Sequence, residues 1–240
     1  MKINKTTHIG MVREVNEDSI LTLETDNYTI LIVADGMGGH SAGEIASLIA
    51  VTTINEYLEK NFSIYEDVTE LLRDAILEAN REIFKKASSS ESLSGMGTTI
   101  TALLIIGNKV YIGHVGDSRA YLIRNGEISQ ITEDHSYINE LLKKGAITKE
   151  EAKVHPMKNL ITRAVGTDKY VVIDTYEECI YSNDVLLLCS DGLTRYVTDS
   201  EILDFVIKGS RSEDLVDTAN LRGGKDNISV IVARKEDIDE

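Results

Sequence analysis

Six carboxylates in this 240-residue chain stand where an apolar segment meets a turn. Glu17 and Asp18 open "NEDSILTL". Asp35 sits in "IVADGMGG", Asp117 in "HVGDSRAY", Asp191 in "LCSDGL" and Asp226 in "GKDNISVIV". Any one of them reads as turn chemistry, because Asp and Asn side chains bond to nearby backbone. The repetition points elsewhere. Several carboxylates at the ends of core strands would crowd like charges in a poorly hydrated place. Such a cluster persists only if it is protonated, paired with cations or bound to metal. Few Lys or Arg residues accompany most of these positions, which makes metal the economical reading. Oxygen ligands select Mg2+ or Mn2+ over Zn2+ or Cu2+. The soft-metal alternative is weak, since His8, His40, His114, His135 and His155 lack close ligand spacing and neither cysteine belongs to a CxxC pair.

Arg13 precedes Glu17 by four residues. Among carboxylates and metals an arginine needs an anion, and its planar fork matches phosphate. The plainer reading, a surface arginine near the start of a strand, stands beside it. "GMGGHSAGE" is glycine-rich before a helix, yet it matches neither GxGxxG nor GxxxxGK[ST], so nucleotide binding is disfavoured. "LCSDG" and "HSAGE" are not GxSxG elbows, and "VADGM" lacks the second Asp of a DxD nucleophile.

The elements that must position these residues alternate irregularly. Ser41 with Glu44 suggests a capping box before a helix through "IASLIAVTTINEYLEK", with Ile45, Leu48, Ile49 and Leu58 on its apolar side. A second helix is predicted from about Glu66 to Ala87. "TITALLIIG", "KVYIGHVG" and "RAYLIRNGEISQIT" read as strands, the last with an Asn125-Gly126 hairpin turn. A charged helical segment, "EDHSYINELLKKG", follows, and Thr148 with Glu151 caps another short helix. "KYVVIDTYEECI" and "DVLLLCSDG" are strands. Thr198 with Glu201 caps "SEILDFVI", Ser210 with Glu213 caps "EDLVDTANL", and "DNISVIVAR" is a closing strand. Hairpins of strands and pairs of helices, without strict alternation, predict an α+β layered domain with sheets inside and helices outside.

Composition narrows the function further. A content of 42% hydrophobic residues, with a single Pro, leaves little for a disordered linker, and the length suits one domain or two small ones. The formal net charge of -15 disfavours a nucleic-acid partner. No apolar run suits a signal peptide or a membrane span, which predicts a cytoplasmic protein with no membrane insertion. Cys179 and Cys189, in or beside apolar stretches, are expected to be buried thiols.

In order along the chain, "GMVREVNEDS", "VADGMGGHSAGE", "SGMGTT", "VGDSRAYLIRNG", "QITEDHS", "ITRAVG", "LLLCSDGLTRYV" and "GGKDNISVIVAR" closely resemble the metal-dependent protein serine/threonine phosphatases of the PP2C (PPM) family, in their compact bacterial form. The resemblance implies a single catalytic domain over residues 1–240, a four-layer α/β/β/α sandwich of two antiparallel sheets flanked by helices. It implies that Asp35 bridges two ions, that the Gly36 carbonyl contacts one and that Asp191 and Asp226 hold the other. Glu17 and Asp18 become outer carboxylates, Asp117 with Asp191 an additional site, and Arg13 the grip on the substrate phosphate. The implied cofactors are Mn2+ or Mg2+, two core ions with a third. The implied catalytic residues are Arg13, Asp35, Asp191 and Asp226, acting on phosphoserine and phosphothreonine with a water or hydroxide shared by the metals as nucleophile. Implied partners are phosphorylated proteins, the substrates of a cognate serine/threonine kinase and that kinase itself, met by a monomer. Animal relatives carry a histidine directly after the Asp-Gly pair; here that position is Met37, and the role of His40 is open. Residues 136–163 correspond to the family's variable flap, although a solvated helix explains their charge equally well. A catalytically inactive binding module and a phosphatase of small phosphomonoesters are the competing readings.

Overall fold

The computed structural model describes residues 1–38 and 42–236. His40, and Ser41 of the predicted capping box, lie outside the described residues. In chain order the elements are β1 (Lys2–His8), β2 (Asp18–Glu24), β3 (Thr29–Met37), α1 (Ala42–Asn61), α2 (Val68–Ala87), β4 (Gly97–Thr98), β5 (Ile100–Ile106), β6 (Lys109–Val115), β7 (Arg119–Arg124), β8 (Glu127–Gln130), α3 (Tyr137–Lys143), α4 (Lys149–Val154), β9 (Asp174–Cys179), β10 (Val185–Cys189), α5 (Asp191–Thr194), α6 (Asp199–Ile207), α7 (Ser212–Leu221) and β11 (Ile228–Arg234). No described helix is long and apolar enough to cross a membrane.

Two antiparallel sheets face each other. One runs β1-β11-β10-β7-β8, and the other β2-β3-β5-β6-β9, with β4 paired to β3. Between them lies a core that includes Leu31, Val33, Leu103, Ile112, Leu186, Leu188 and Ile231. The alternate residues of the same strands face outward into helices. Ile30, Ile32 and Ala34 pack under α1 and α2, while Val185, Leu187 and Cys189 pack with residues of α5, α6 and α7. Central strands are therefore buried on both faces, which is why "TILIVA" and "VLLLC" read as continuous apolar runs rather than alternations. The α+β sandwich expected from the sequence is the observed architecture.

Several local expectations change. Helix α1 buries Ala46, Ala50, Ile54 and Leu58 and packs Ile45 and Ile49 against the edge of the same core, while Leu48 is 57% exposed, so of the expected apolar side only Leu48 turns away. Strand β9 begins at Asp174 rather than Lys169, because its partner β6 ends just past the His114–Asp174 pairing and residues 169–173 have no strand to join. Helix α7 is capped at Arg211, whose backbone N–H donates to Asp214 at 2.7 Å, displacing the Ser210–Glu213 box. Cys189 is buried but Cys179 is exposed, since alternate β9 residues face solvent. The Asn125-Gly126 turn does join β7 to β8, with φ of 53° and 79° as a type I′ turn requires.

Candidate active site

The register of both sheets delivers the carboxylates to one end of the sandwich. Asp18 at the start of β2 pairs directly with Asp35 near the end of β3. Asp191 follows β10, and Asp226 precedes β11, to which β10 is hydrogen-bonded. Asp117 lies in the turn from β6 to β7. Arg13, Glu17, Asp35, Gly36, Asp117, Asp191 and Asp226 line a single cleft of about 260 Å³. Asp18 lies behind it, nearly inaccessible, its Oδ2 accepting from Ser190 Oγ at 2.8 Å.

Backbone contacts fix these positions. The Asp35 N–H donates to Thr99 Oγ1 at 2.9 Å, and its carbonyl accepts from Thr99 N at 2.9 Å and from Thr98 Oγ1 at 3.0 Å. At Gly36 a Cβ would run into the carbonyl oxygens of Gly43 and Glu17, so the approach of α1 to β3 permits only glycine there. The β1–β2 loop carrying Arg13 is pinned by Asn227. Its Nδ2 donates to Ile9 O at 2.9 Å and to Val15 O at 3.0 Å, and its Oδ1 accepts from Glu17 N at 2.8 Å. His135 holds the Asp117 turn, its Nδ1 accepting from Gly116 N at 3.0 Å and its Nε2 meeting Asp174 Oδ2 at 3.0 Å.

Sequence reasoning missed Asn227, His135 and, above all, Arg195. Arg195 bridges two of the carboxylates, contacting Asp191 Oδ2 and placing Nη1 2.8 Å from Asp226 Oδ2. Arg13 Nη2 meets the other oxygen of Asp226 at 2.8 Å. The available signal was the four-residue spacing from Asp191 to Arg195, which puts both on one helical face.

Electrostatically the cleft is under tension. Burial raises the pKa of Asp18 and of Asp117 to about 7, with Asp191 adding repulsion at each. Asp35 is pushed well above the usual carboxylate range by burial and then by Asp18, Asp191 and Asp117. Burial also raises Asp191, although Arg195 opposes it, and Glu17, although Arg13 opposes it. Desolvation exceeds the local cation in both cases.

Three buried oxygens, Glu17 Oε1, Asp18 Oδ1 and Asp191 Oδ1, have no hydrogen-bond partner. An orphaned buried carboxylate oxygen is costly, and an all-oxygen donor set of this kind suits a hard divalent cation. Among the described residues, no three His, Cys, Asp or Glu side chains are gathered closely enough to hold an ion as they stand. Arg195 occupies the span between Asp191 and Asp226, and an ion bound by both requires it to release their oxygens. The donors fit a divalent metal in number and chemistry, with that rearrangement.

Residues 136–163 leave the sandwich and return to it beside the cleft. Their base is closed by the Ser136–Ile161 bridge, by Tyr137 N donating to Leu160 O at 2.9 Å and by Thr162 N donating to His135 O at 2.8 Å. Asn159 and Ile161 reach the cleft wall.

Comparison with known proteins agrees with this geometry. Residues 7–222 match the family described as Protein phosphatase 2C. The chain is 42% identical to the serine/threonine phosphatase stp of Listeria welshimeri, over 95% of this chain and 94% of that protein. The crystal structure of the Mycobacterium tuberculosis serine/threonine phosphatase PstP/Ppp superposes with a TM-score of 0.90 at 36% identity, covering 98% of this chain and 99% of that one. The catalytic domain of PstP in complex with two manganese ions gives a TM-score of 0.87 at 35% identity, covering 98% of each chain.

Proposed function

The chain belongs to the protein phosphatase 2C family and is a metal-dependent serine/threonine phosphatase, and from that premise we infer how its cleft works and on what. The substrates are phosphoserine and phosphothreonine in proteins, and the mechanism is direct attack of water on phosphorus. Asp35, the Gly36 carbonyl, Asp191 and Asp226 would hold two ions, Mn2+ or Mg2+, with Glu17 and Asp18 as outer carboxylates and Asp117 with Asp191 serving a third. When bound, such ions supply Lewis acidity toward water and the phosphoryl oxygens.

The chain's own residues do the rest. Arg13, nearly half exposed at the rim, presents its guanidinium to the incoming phosphate and binds two of its oxygens. Asn227 keeps that arginine in place through the loop it pins. Water enters opposite the Ser or Thr oxygen, the bond from phosphorus to that oxygen breaks, and the released alkoxide takes up a proton. Among the described residues of the cleft, no hydroxyl or thiol suits a covalent route. The Thr99 hydroxyl is engaged with Asp35 N and Ser118 Oγ, and Cys189 is buried with its thiol pushed up to about 12. By family resemblance the enzyme is a cytoplasmic monomer that reverses the work of a cognate serine/threonine kinase and acts on that kinase too. Residues 136–163 form its flap.

The observation that carries this reading is the convergence of five cleft carboxylates with Arg13, over buried oxygens that lack any partner. The test is phosphate release from a phosphothreonine peptide against added Mn2+, for the native protein and for Asp226→Asn, with a chelator control. Mn2+-dependent turnover that the substitution lowers by about 10²-fold or more is expected. A folded protein with no turnover under any divalent metal would overturn the reading in favour of a binding module.

A further inference from the structure

A second, larger hollow of about 1260 Å³ opens from the cleft, sharing Asp117, Asn159, Asp191 and Arg195 with it. Its one wall is the inner side of residues 136–163, and its other is built from β7, β8, α5 and the turn before β11. The charges along it are sorted. On α4, Lys149 and Lys153 stand four residues apart on one helical face and line the groove together with Ala152, whereas Glu150 and Glu151 of the same helix do not. Lys158 continues that wall and Lys225 faces it.

Away from the inner end, where Asp117 and Asp191 belong to the cleft, the acidic residues of the groove are already paired. Glu133 is paired with Lys143, and Asp134 receives Arg119 Nη2 at 2.7 Å. Arg222 is likewise committed, to Glu201 at 2.6 Å. Among the described residues, Lys149, Lys153, Lys158 and Lys225 have no carboxylate partner. Four ammonium groups without a carboxylate partner, spread over two walls, therefore form a cationic channel on a protein whose net charge is -15. Its inner end is the place where a phosphorylated side chain must sit.

We propose that this groove binds an acidic stretch of the substrate polypeptide, so that the enzyme selects phosphoserine or phosphothreonine flanked on one side by Asp or Glu. The proposal rests on the phosphatase reading above and adds the substrate class. Charge complementarity supplies the selection, and continuity with the cleft supplies the register between the acidic residues and the scissile phosphate. Lysines act here as point charges on long stems, which tolerate sequence variation in the bound segment. Each exposed pair contributes modestly and is screened by salt, so the preference is cumulative.

The experiment uses the full chain with Mn2+ and four kinds of substrate: an aryl phosphate, and phosphothreonine peptides whose flanks are neutral, glutamate-rich or neutral with a second phosphothreonine, the latter two flanks being placed in turn before and after the scissile residue. The native enzyme is expected to favour one glutamate-flanked peptide by about tenfold in kcat/KM, mainly through KM, with the preference shrinking at high salt. The triple variant Lys149→Gln, Lys153→Gln, Lys158→Gln is expected to lose most of that preference while hydrolysing the aryl phosphate as before. A control of equal charge change at exposed Lys2, Lys86 and Lys208 is expected to keep it. Equal rates on neutral and acidic peptides, or a preference that survives in the triple variant, would overturn the proposal. A gain confined to the second phosphate would overturn it in favour of a phosphate-specific subsite. Failure on the aryl phosphate as well as on every peptide would strike the phosphatase reading itself.

Discussion

Strand β10 carries an aspartate at each end, and the two have opposite surroundings. Asp184, just before the strand, is buried and fully served. Arg124 Nε lies 3.0 Å from one of its oxygens and Nη2 2.7 Å from the other, and Tyr181 N donates to it at 2.7 Å. Asp191, just after the strand, shares a single arginine with Asp226 and leaves Oδ1 without a partner. Asp184 therefore braces the fold, because a bidentate guanidinium and a backbone donor use its lone pairs. Asp191 is an unfinished site. Burial alone marks neither as functional; the difference lies in whether the protein itself completes the charge.

Three experiments bear on that contrast. The largest effect is expected from Asp191→Asn, which should lower kcat by about 10²–10³-fold on an aryl phosphate and a phosphopeptide alike. Asp184→Asn with unchanged stability and a comparable loss of turnover would erase the distinction between the two ends.

Next comes Asp184→Ala. Removing the carboxylate that Arg124 and Tyr181 N share is expected to cost about 2 kcal/mol of unfolding free energy in a urea titration, with Mn2+-dependent kcat preserved. The third effect is the smallest and concerns pH. In chelator, Asp18 and Asp117 have folded values of about 7, above the unfolded value near 3.8, so the folded state holds protons that the unfolded state has released. Their contribution to stability is present at low pH and lost as pH rises through 7. Buried His114 acts in the other direction. Its value falls from 6.5 to about 4, by burial and then by the neighbouring His135, so stability is lost as pH drops from 6.5 toward 4. Two carboxylates outweigh one imidazole, so the melting temperature in chelator is expected to fall by several degrees from pH 4 to pH 7 and to level off above it. A flat profile between pH 4 and 7 would mean that the carboxylates are not strained.

Much of this was legible in the linear chain because the signals are local. Apolar runs ending in Asp-Gly or preceded by Asp-Asn announced strands with carboxylates at their ends, and the hairpin turn at Asn125-Gly126 was readable from two residues. Less was readable where a residue's task depends on a distant partner. Leu48 has the right character for a core helix face, but alanines allow α1 to lie closer to β3 and take that face instead. Residues 169–173 have strand composition and no strand to pair with. Arg195 is an ordinary helical arginine until β11 brings Asp226 within 2.8 Å of it.

What the sequence determined by itself is the inventory: which residue types stand at strand ends, in what order, and how many of them offer carboxylate oxygens. Those properties follow from short-range periodicity and turn preference, which every segment carries within itself. The tertiary structure alone decided the pairing. The Asp18–Asp35 register, the Asn227 clamp across 210 residues to Glu17, and the sorting of Lys149 and Lys153 toward the groove all depend on sheet register and packing. Such contacts form only when distant segments are buried together, and no single segment encodes them.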